Sequence, residues 1–281
     1  MTKTPISPEE FQQFARYILA ISGIALDAGK EYLLETRLGP VLTRQGCRSY
    51  TELLQKAKTD HKKHLENDII DAISTNETYF FRDKAPFQLL QHKILPDLID
   101  RRTRKNPGRK PAIRLWSAAS STGQEIYSVA MTLVEMGITP EKYQIKLFGT
   151  DISDAAIAQA SYGLYNKFEA ARGLDPARLQ RYFAPHENGY KIKDRLRVMA
   201  QFKKMNLMQP FSGLGRFDII LCRNVMIYFT PQDRQHIYAN IAKVLEPDGY
   251  LIIGSTESLI NDTDLFVSNK YLNAVFYQFK S

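Results

Sequence analysis

The sequence predicts an α/β fold: a doubly wound, mainly parallel sheet carrying a small inserted β-subdomain, preceded by an all-α N-terminal domain. Three observations carry that expectation. Over residues 1–75 apolar side chains recur only at helical spacing, with no strand candidate. From about residue 112, short apolar strands alternate with helices, the pattern of parallel strands covered on both faces. Between residues 162 and 204 the alternation breaks, which marks an insert. The expected organisation is a helical domain over 1–75, a linker and long helix over 76–111, and a sheet domain over 112–281 with the insert at 162–204.

Each element has its own local signal. Ser7-Pro8-Glu9-Glu10 starts a helix, with Ser7 as cap, Pro8 at the first helical position and Glu10 closing a capping box. Phe11, Phe14, Ala15, Ile18 and Leu19 continue it until Gly23. A second helix is expected over Tyr32–Gln45, kinked or shortened by Gly39-Pro40. Ser49 opens a third helix, and a fourth covers His61–Ile73. A long amphipathic helix, Lys84–Arg102, leads through the loop RRTRKNPGRKP to the strand Ile113–Trp116. Next come the turn SAASSTGQE, a helix from Gln124 to Met136, the strand Ile145–Phe148 and a helix capped by Ser153. Within the insert, Asp175–Phe183 reads as helix and His186–Gly189 as a turn, with Tyr190–Lys193 and Leu196–Phe202 extended. The strand Phe217–Leu221, a helix capped at Thr230-Pro231 and the strand Tyr250–Ile253 follow. Apolar stretches near Leu265 and over Val275–Phe279 are expected to pair antiparallel at one edge.

The length of 281 residues suits about two domains at roughly 150 residues each. Hydrophobic residues make up 44% and charged residues 24%, a globular composition without extended disorder. No run approaches the ~18 apolar residues of a membrane span, and MTKTPISPEEF has no apolar core of a secretory leader. Only Cys47 and Cys222 are present, so neither a disulfide framework nor a multi-thiolate metal site is expected, and a cytoplasmic location is. The net charge is +8, and residues 82–114 hold ten basic against three acidic side chains, a local excess of +7. Such a surface suits an acidic partner, and nucleic acid, anionic lipid and acidic protein all qualify.

Candidate chemistry gathers where a doubly wound sheet binds ligands, beyond the carboxyl ends of its strands. The small residues of Ser117–Glu125 let a ligand approach the backbone, and one glycine alone argues against a pyrophosphate grip. A positively charged nucleoside fits better, with Glu125 as counter-charge; an ordinary strand–helix turn is the plain alternative. Asp151 ends the next strand, where an acid can accept hydrogen bonds from both ribose hydroxyls. Met205-Asn206-Leu207 could frame an adenine, amide to the ring edge and Leu207 on its face. In CRNVMIYF, Arg223 is polar amid apolar neighbours and needs a partner, which could equally be a structural acid. STNETYFFR (Ser74–Arg82) crowds polar and aromatic residues at a hinge and reads as a lid or as interdomain packing. The five histidines show no metal-ligand spacing, and no metal is expected.

Taken together, STNETYFFRD, WSAASSTGQE, GTDIS, KMNLM, CRNVMIYF and GYLIIGSTESL resemble the chemotaxis receptor methyltransferases, the CheR family of protein-glutamate O-methyltransferases, over essentially the whole chain. The resemblance implies a Rossmann-like methyltransferase sheet and S-adenosyl-L-methionine as methyl donor, with S-adenosyl-L-homocysteine as product. It implies receptor glutamates as acceptors, presented on the cytoplasmic helical bundle of methyl-accepting chemotaxis receptors. Carried over by motif, Asn76, Thr78, Arg82, Glu125, Asp151, Asn206, Leu207, Arg223 and Asn224 line the cofactor site, with Arg82 and Tyr228 nearest the transferred methyl. Arg37 and Arg44 on the second helix, with Arg48 beyond it, are the candidates to face the receptor. Three departures stand out. Ala119 and Ser120 occupy positions where the family often has Gly and Cys. The hairpin loop is only Ala184–Gly189, which argues against tethering a receptor's C-terminal pentapeptide, and the second helix is sparsely basic. Two other readings are a nucleic-acid methyltransferase and a non-catalytic module that senses cofactor or docks on receptors. The absence of proline from CRNVMIYF speaks against the first, and Arg82 with Tyr228 speaks against the second.

Overall fold

The computed structural model describes residues 4–280; Met1–Lys3, part of the stretch read for a leader, lie outside them. The N-terminal region holds α1 (Pro8–Ser22), α2 (Glu31–Arg44), α3 (Tyr50–Thr59) and α4 (His64–Ile73). The α1 capping box forms as expected: the Glu10 N–H donates to Ser7 Oγ at 3.2 Å, and the Ser7 N–H donates to Glu10 Oε2 at 3.0 Å. Pro40 lies inside α2 without ending it, because Leu34 and Leu38 before it and Val41 and Leu42 after it are all buried in the bundle. The fourth helix begins at His64 rather than His61. Asp60 accepts the N–H groups of Lys62 and Leu65, and Lys63 turns left-handed at φ 58°, so residues 61–63 form a turn ahead of the helix.

The expected long helix is one run of three pieces: α5 (Ala85–Leu89), a π-turn over Leu90–Ile94, and α6 (Leu95–Lys105). The wider turn brings Leu90 and Leu95, five residues apart, onto the buried face together. Beyond it come β1 (Ala112–Ala118), α7 (Gln124–Glu135), β2 (Gln144–Asp151) and α8 (Asp154–Tyr162). The insert contributes β3 (Leu164–Asn166), α9 (Lys167–Ala171), α10 (Pro176–Tyr182), β4 (Phe183–His186), β5 (Gly189–Ile192) and α11 (Asp194–Arg197). The chain closes with β6 (Ala200–Lys204), β7 (Phe217–Cys222), α12 (Pro231–Val244), β8 (Leu245–Ile253), β9 (Phe266–Tyr271) and β10 (Ala274–Phe279).

The main sheet has seven strands in the order β6-β2-β1-β7-β8-β10-β9. From β6 to β8 the strands are parallel, and β10 and β9 pair antiparallel at the far edge, as expected. Alternation sorts its side chains by face. Ile113, Leu115, Ile219 and Leu221 join the core under the long helix and α7, whereas Trp116, Ile220 and Cys222 join that under α12. A second sheet, β3-β5-β4, stands apart from it. One expectation fails here. The extended stretch read as part of the insert, Leu196–Phe202, divides: Asp194–Arg197 is helical, and β6 is the edge strand of the main sheet, parallel to β2. Phe202 secures that pairing by packing over Gly149, where a Cβ would come within 2.6 Å of its ring. The projecting sheet therefore ends at Ile192 and not near residue 204.

The basic run also has an internal role. Arg102 reaches the fully buried Asp218 at 2.6 Å and Asp248 at 2.9 Å, Arg101 donates to the Tyr250 hydroxyl, and Arg114 pairs with Glu246. Arg101 and Arg102 bolt α6 to β7 and β8, and Arg114 ties β1 to β8, on the side opposite the strand ends where ligands bind. Part of the +7 excess thus balances Asp218, Asp248 and Glu246 within the fold and is not a free cationic surface. Among the described residues no helix is long and apolar enough to cross a membrane.

Candidate active site

The carboxyl ends of β1, β2 and β7 meet the segment between α4 and α5 and the loop after α1. They enclose a cavity of about 1310 Å³ including its open mouth. Every sequence-predicted site residue lines it: Asn76, Thr78, Arg82, Glu125, Asp151, Asn206, Leu207, Arg223, Asn224 and Tyr228. The helical domain supplies Ser22, Ala25, Leu26, Lys30, Tyr32 and Leu33, so one wall comes from outside the sheet.

At the tip of β1 the chain turns through left-handed conformations at Ala119 (φ 60°) and Ser121 (φ 50°), which aims the Ser121 N–H at β2. That N–H donates to Asp151 Oδ2 at 2.8 Å, and the Ser153 N–H donates to Oδ1 at 3.0 Å. Ser153 separately caps α8. Asp151 is 7% exposed, and its burial pushes the carboxyl above the ordinary aspartate range despite those bonds. Both of its oxygens are fixed, leaving their remaining lone pairs for a ligand.

Arg223, at the end of β7, is the hub of a buried network. Its guanidinium donates to Glu125 Oε2 at 2.6 Å, to Asp83 Oδ2 at 3.0 Å and to the Arg82 carbonyl at 2.9 Å. The second Glu125 oxygen accepts the Ser117 hydroxyl at 2.8 Å. Glu125 is therefore not the free counter-charge expected from the sequence: Arg223 pairs with it and with Asp83, one cation between two carboxylates. Asn206 also departs from expectation. Its Nδ2 donates to the Ile21 carbonyl at 3.0 Å and its Oδ1 accepts the Met208 N–H at 2.9 Å, so the amide staples α1 to the sheet rather than waiting for a ring edge. Tyr228 lies just beyond, and its carbonyl accepts the Ala25 N–H at 2.9 Å.

Arg82 is less constrained. Its guanidinium makes one hydrogen bond, to the Glu77 carbonyl at 2.8 Å, and lies 5.8 Å from the centre of the Tyr79 ring. Arg37, in contrast, is drawn inward: it donates to the carbonyls of Ile73 and Ser74 and to the Thr75 hydroxyl, fastening the segment that carries Asn76 and Thr78. Its guanidinium is thus engaged within the fold. Arg44 is exposed and sits 3.6 Å from Asp68. Burial pushes the Cys222 thiol far up, which makes it inert as a nucleophile. Among the described residues no cluster of His, Cys, Asp or Glu could hold a metal.

Residues 76–274 match the CheR methyltransferase SAM-binding domain, and residues 9–74 match the CheR methyltransferase all-α domain. The chain belongs to the CheR methyltransferase family. Over its full length it is 37% identical to chemotaxis protein methyltransferase 1 of Vibrio cholerae, covering all of that protein. It is 36% identical to chemotaxis protein methyltransferase Cher2 of Pseudomonas putida across 96% of this chain and 98% of that one. With the Escherichia coli chemotaxis protein methyltransferase the identity is 32%, over 90% and 85%.

The cofactor of this CheR-family methyltransferase is S-adenosylmethionine, and the cavity fits it. A buried, doubly anchored carboxylate stands at the tip of β2, the Ser120 hydroxyl is buried with no partner among the described residues, and Ile152 and Leu207 give the cavity apolar wall. Glu257, inside the GSTES stretch, is the site-shaping residue that sequence reasoning missed. It accepts three backbone N–H groups of the loop after β7 and a fourth, that of Gly254, just after β8. Its only sequence signal was an acid close behind the strand YLII. Asp151→Asn tests the donor cradle. Either orientation of the amide turns its NH2 toward one of two backbone donors, so the donor's Kd should rise about 30-fold, roughly 2 kcal/mol, by calorimetry. Because burial raises the Asp151 pKa, protonation begins at a higher pH than in an exposed aspartate. Donor affinity should fall as pH drops through that raised value.

Proposed function

We propose that the protein transfers a methyl group from S-adenosylmethionine to glutamate side chains of methyl-accepting chemotaxis receptors, giving glutamyl methyl esters and S-adenosylhomocysteine. The observation that carries this reading is the pairing of Arg82, a lightly tethered cation at the cavity wall, with a cradle whose own carboxylates are already engaged. A visiting carboxylate finds a guanidinium to orient it, while Glu125 is bonded to Arg223 and Asp151 to backbone N–H groups. The relatives' names, chemotaxis protein methyltransferases, agree with such an acceptor.

The bound donor supplies an electrophilic methyl on a sulfonium. A glutamate is already ionised at neutral pH, with a reference pKa of about 4.3, so the transfer needs no general base. The protein's contribution is alignment, an effect worth up to roughly 7–11 kcal/mol in favourable cases. In this scheme Asp151 holds the ribose hydroxyls, Asn76, Thr78, Asn206, Leu207, Arg223 and Asn224 shape the donor pocket, and Glu125 braces Arg223. Arg82 orients the acceptor carboxylate, and Tyr228 confines the methyl. The acceptor bundle approaches the mouth beside the helical domain, in the cytoplasm, with Arg44 rather than Arg37 as an available cation. The tight turn at Glu187–Asn188 offers no extended loop for a receptor tail.

The deciding experiment incubates the protein with methyl-labelled donor and receptor-containing membranes. Label should appear in receptor as base-labile methyl ester. Base-stable label would mean N-methylation and would overturn the acceptor assignment.

A further inference from the structure

We propose that Glu257 is a positioning residue for methyl transfer, holding the loop that presents Asn224 and Tyr228 to the cavity; this rests on the methyl-transfer reading above. After β7 ends at Cys222 the chain leaves the sheet, and the N–H groups of the next turn have no strand to bond. Glu257 replaces that strand. Its Oε2 accepts the N–H of Asn224 at 2.8 Å and of Gly254 at 2.7 Å; its Oε1 accepts those of Val225 at 3.1 Å and Met226 at 3.0 Å. Asn224 is left-handed at φ 56°, a conformation asparagine tolerates and the clamp holds in place. The fit is close: a Cβ on Gly254 would fall 2.6 Å from Glu257 Oε2 and 2.8 Å from Asn224 Nδ2.

The clamp grips the middle of a segment fixed at both ends. At one end Arg223 is anchored to Glu125 and Asp83, and at the other the Tyr228 carbonyl accepts the Ala25 N–H. Between them, residues 226–228 form a single 3₁₀ turn that aims Tyr228 at the cavity. Glu257 itself does not line that cavity, so it acts only through the loop. Asp151 and the β1 turn, on the other side, are anchored without it.

The test is Glu257→Gln. Each carboxylate oxygen serves two N–H groups, so whichever way the amide is turned, its NH2 faces two donors and one pair of bonds is lost. Hydrogen exchange should show one pair of amides, Asn224 with Gly254 or Val225 with Met226, losing protection. With receptor as acceptor, kcat should fall at least about tenfold. The donor's Kd, by calorimetry, should rise by less than kcat falls, because the loop carrying Asn224 loosens while Asp151 is untouched. Ser255→Ala, at the exposed neighbouring turn, should change none of these. Unchanged amide protection, or an unchanged kcat, would overturn the proposal. So would a loss of activity that merely tracks the loss of folded protein by thermal melt. If the wild type makes no receptor ester, the acceptor assignment fails, while exchange and donor affinity still decide what Glu257 holds.

Discussion

Arg82→Ala should lower methyl transfer to receptor by about a hundredfold, a loss of roughly 3 kcal/mol of transition-state stabilisation, with the donor's Kd changed by no more than a few-fold. Arg82 lines the cavity but is tied to the fold by a single hydrogen bond, to the Glu77 carbonyl, so its removal disturbs little else. Its main-chain carbonyl, which accepts from Arg223, survives the substitution. The effect should therefore appear in kcat. Arg82→Lys should recover only part of it, since an ammonium cannot offer a carboxylate the two parallel N–H donors of a guanidinium. Full activity in Arg82→Ala, measured as base-labile ester per unit time, would remove Arg82 from the reaction.

Arg223→Met should act on the fold itself. The side chain is 2% exposed and pairs with Glu125 and Asp83, which are 13% and 31% exposed. Truncating the cation leaves Glu125 charged and largely buried without its partner, a defect costing about 3–5 kcal/mol. At roughly 2–4 °C per kcal/mol, the melting temperature should drop by about 10 °C. The double variant Arg223→Met with Glu125→Leu should recover a large part of that stability, because the stranded charge is gone. It should recover no methyl transfer, since two polar side chains lining the cavity are gone. A melting temperature within 2 °C of the wild type in Arg223→Met, read by calorimetry or circular dichroism, would show that the network contributes little.

The contrast between these two arginines was only half visible in the sequence. That Arg223 requires a partner follows from its apolar neighbours. Which acids answer it does not, because Glu125 is 98 residues away and Asp83 140. Local signals were read well wherever they are local in fact. Ser7, Ser49, Ser153 and Thr230 each cap the helix they precede, and the alternation in β1 and β7 sorts residues onto two faces. The failures share one cause. β6 was assigned to the insert because its partner β2 lies some fifty residues earlier, and spacing along the chain says nothing about that pairing. Arg37 and the basic run looked free because a charge count cannot see the carbonyls of 73–74 or the buried Asp218. All ten expected site residues line one cavity, but the sequence does not reveal that Glu125 pairs with Arg223 or that the Asn206 amide is engaged by Ile21 and Met208.

The stapling of Ile21 to Asn206 and of Ala25 to Tyr228 bears on how the two halves of this protein can be recombined. The joint bonds through main-chain atoms on the helical side and puts cavity-lining residues on the other, so swapping in the helical half of a relative swaps a wall of the reaction chamber too. The halves are matched like a lock and its own bolt. Catalytic competence in a hybrid will track how well that seam is rebuilt, even when each half folds soundly by itself.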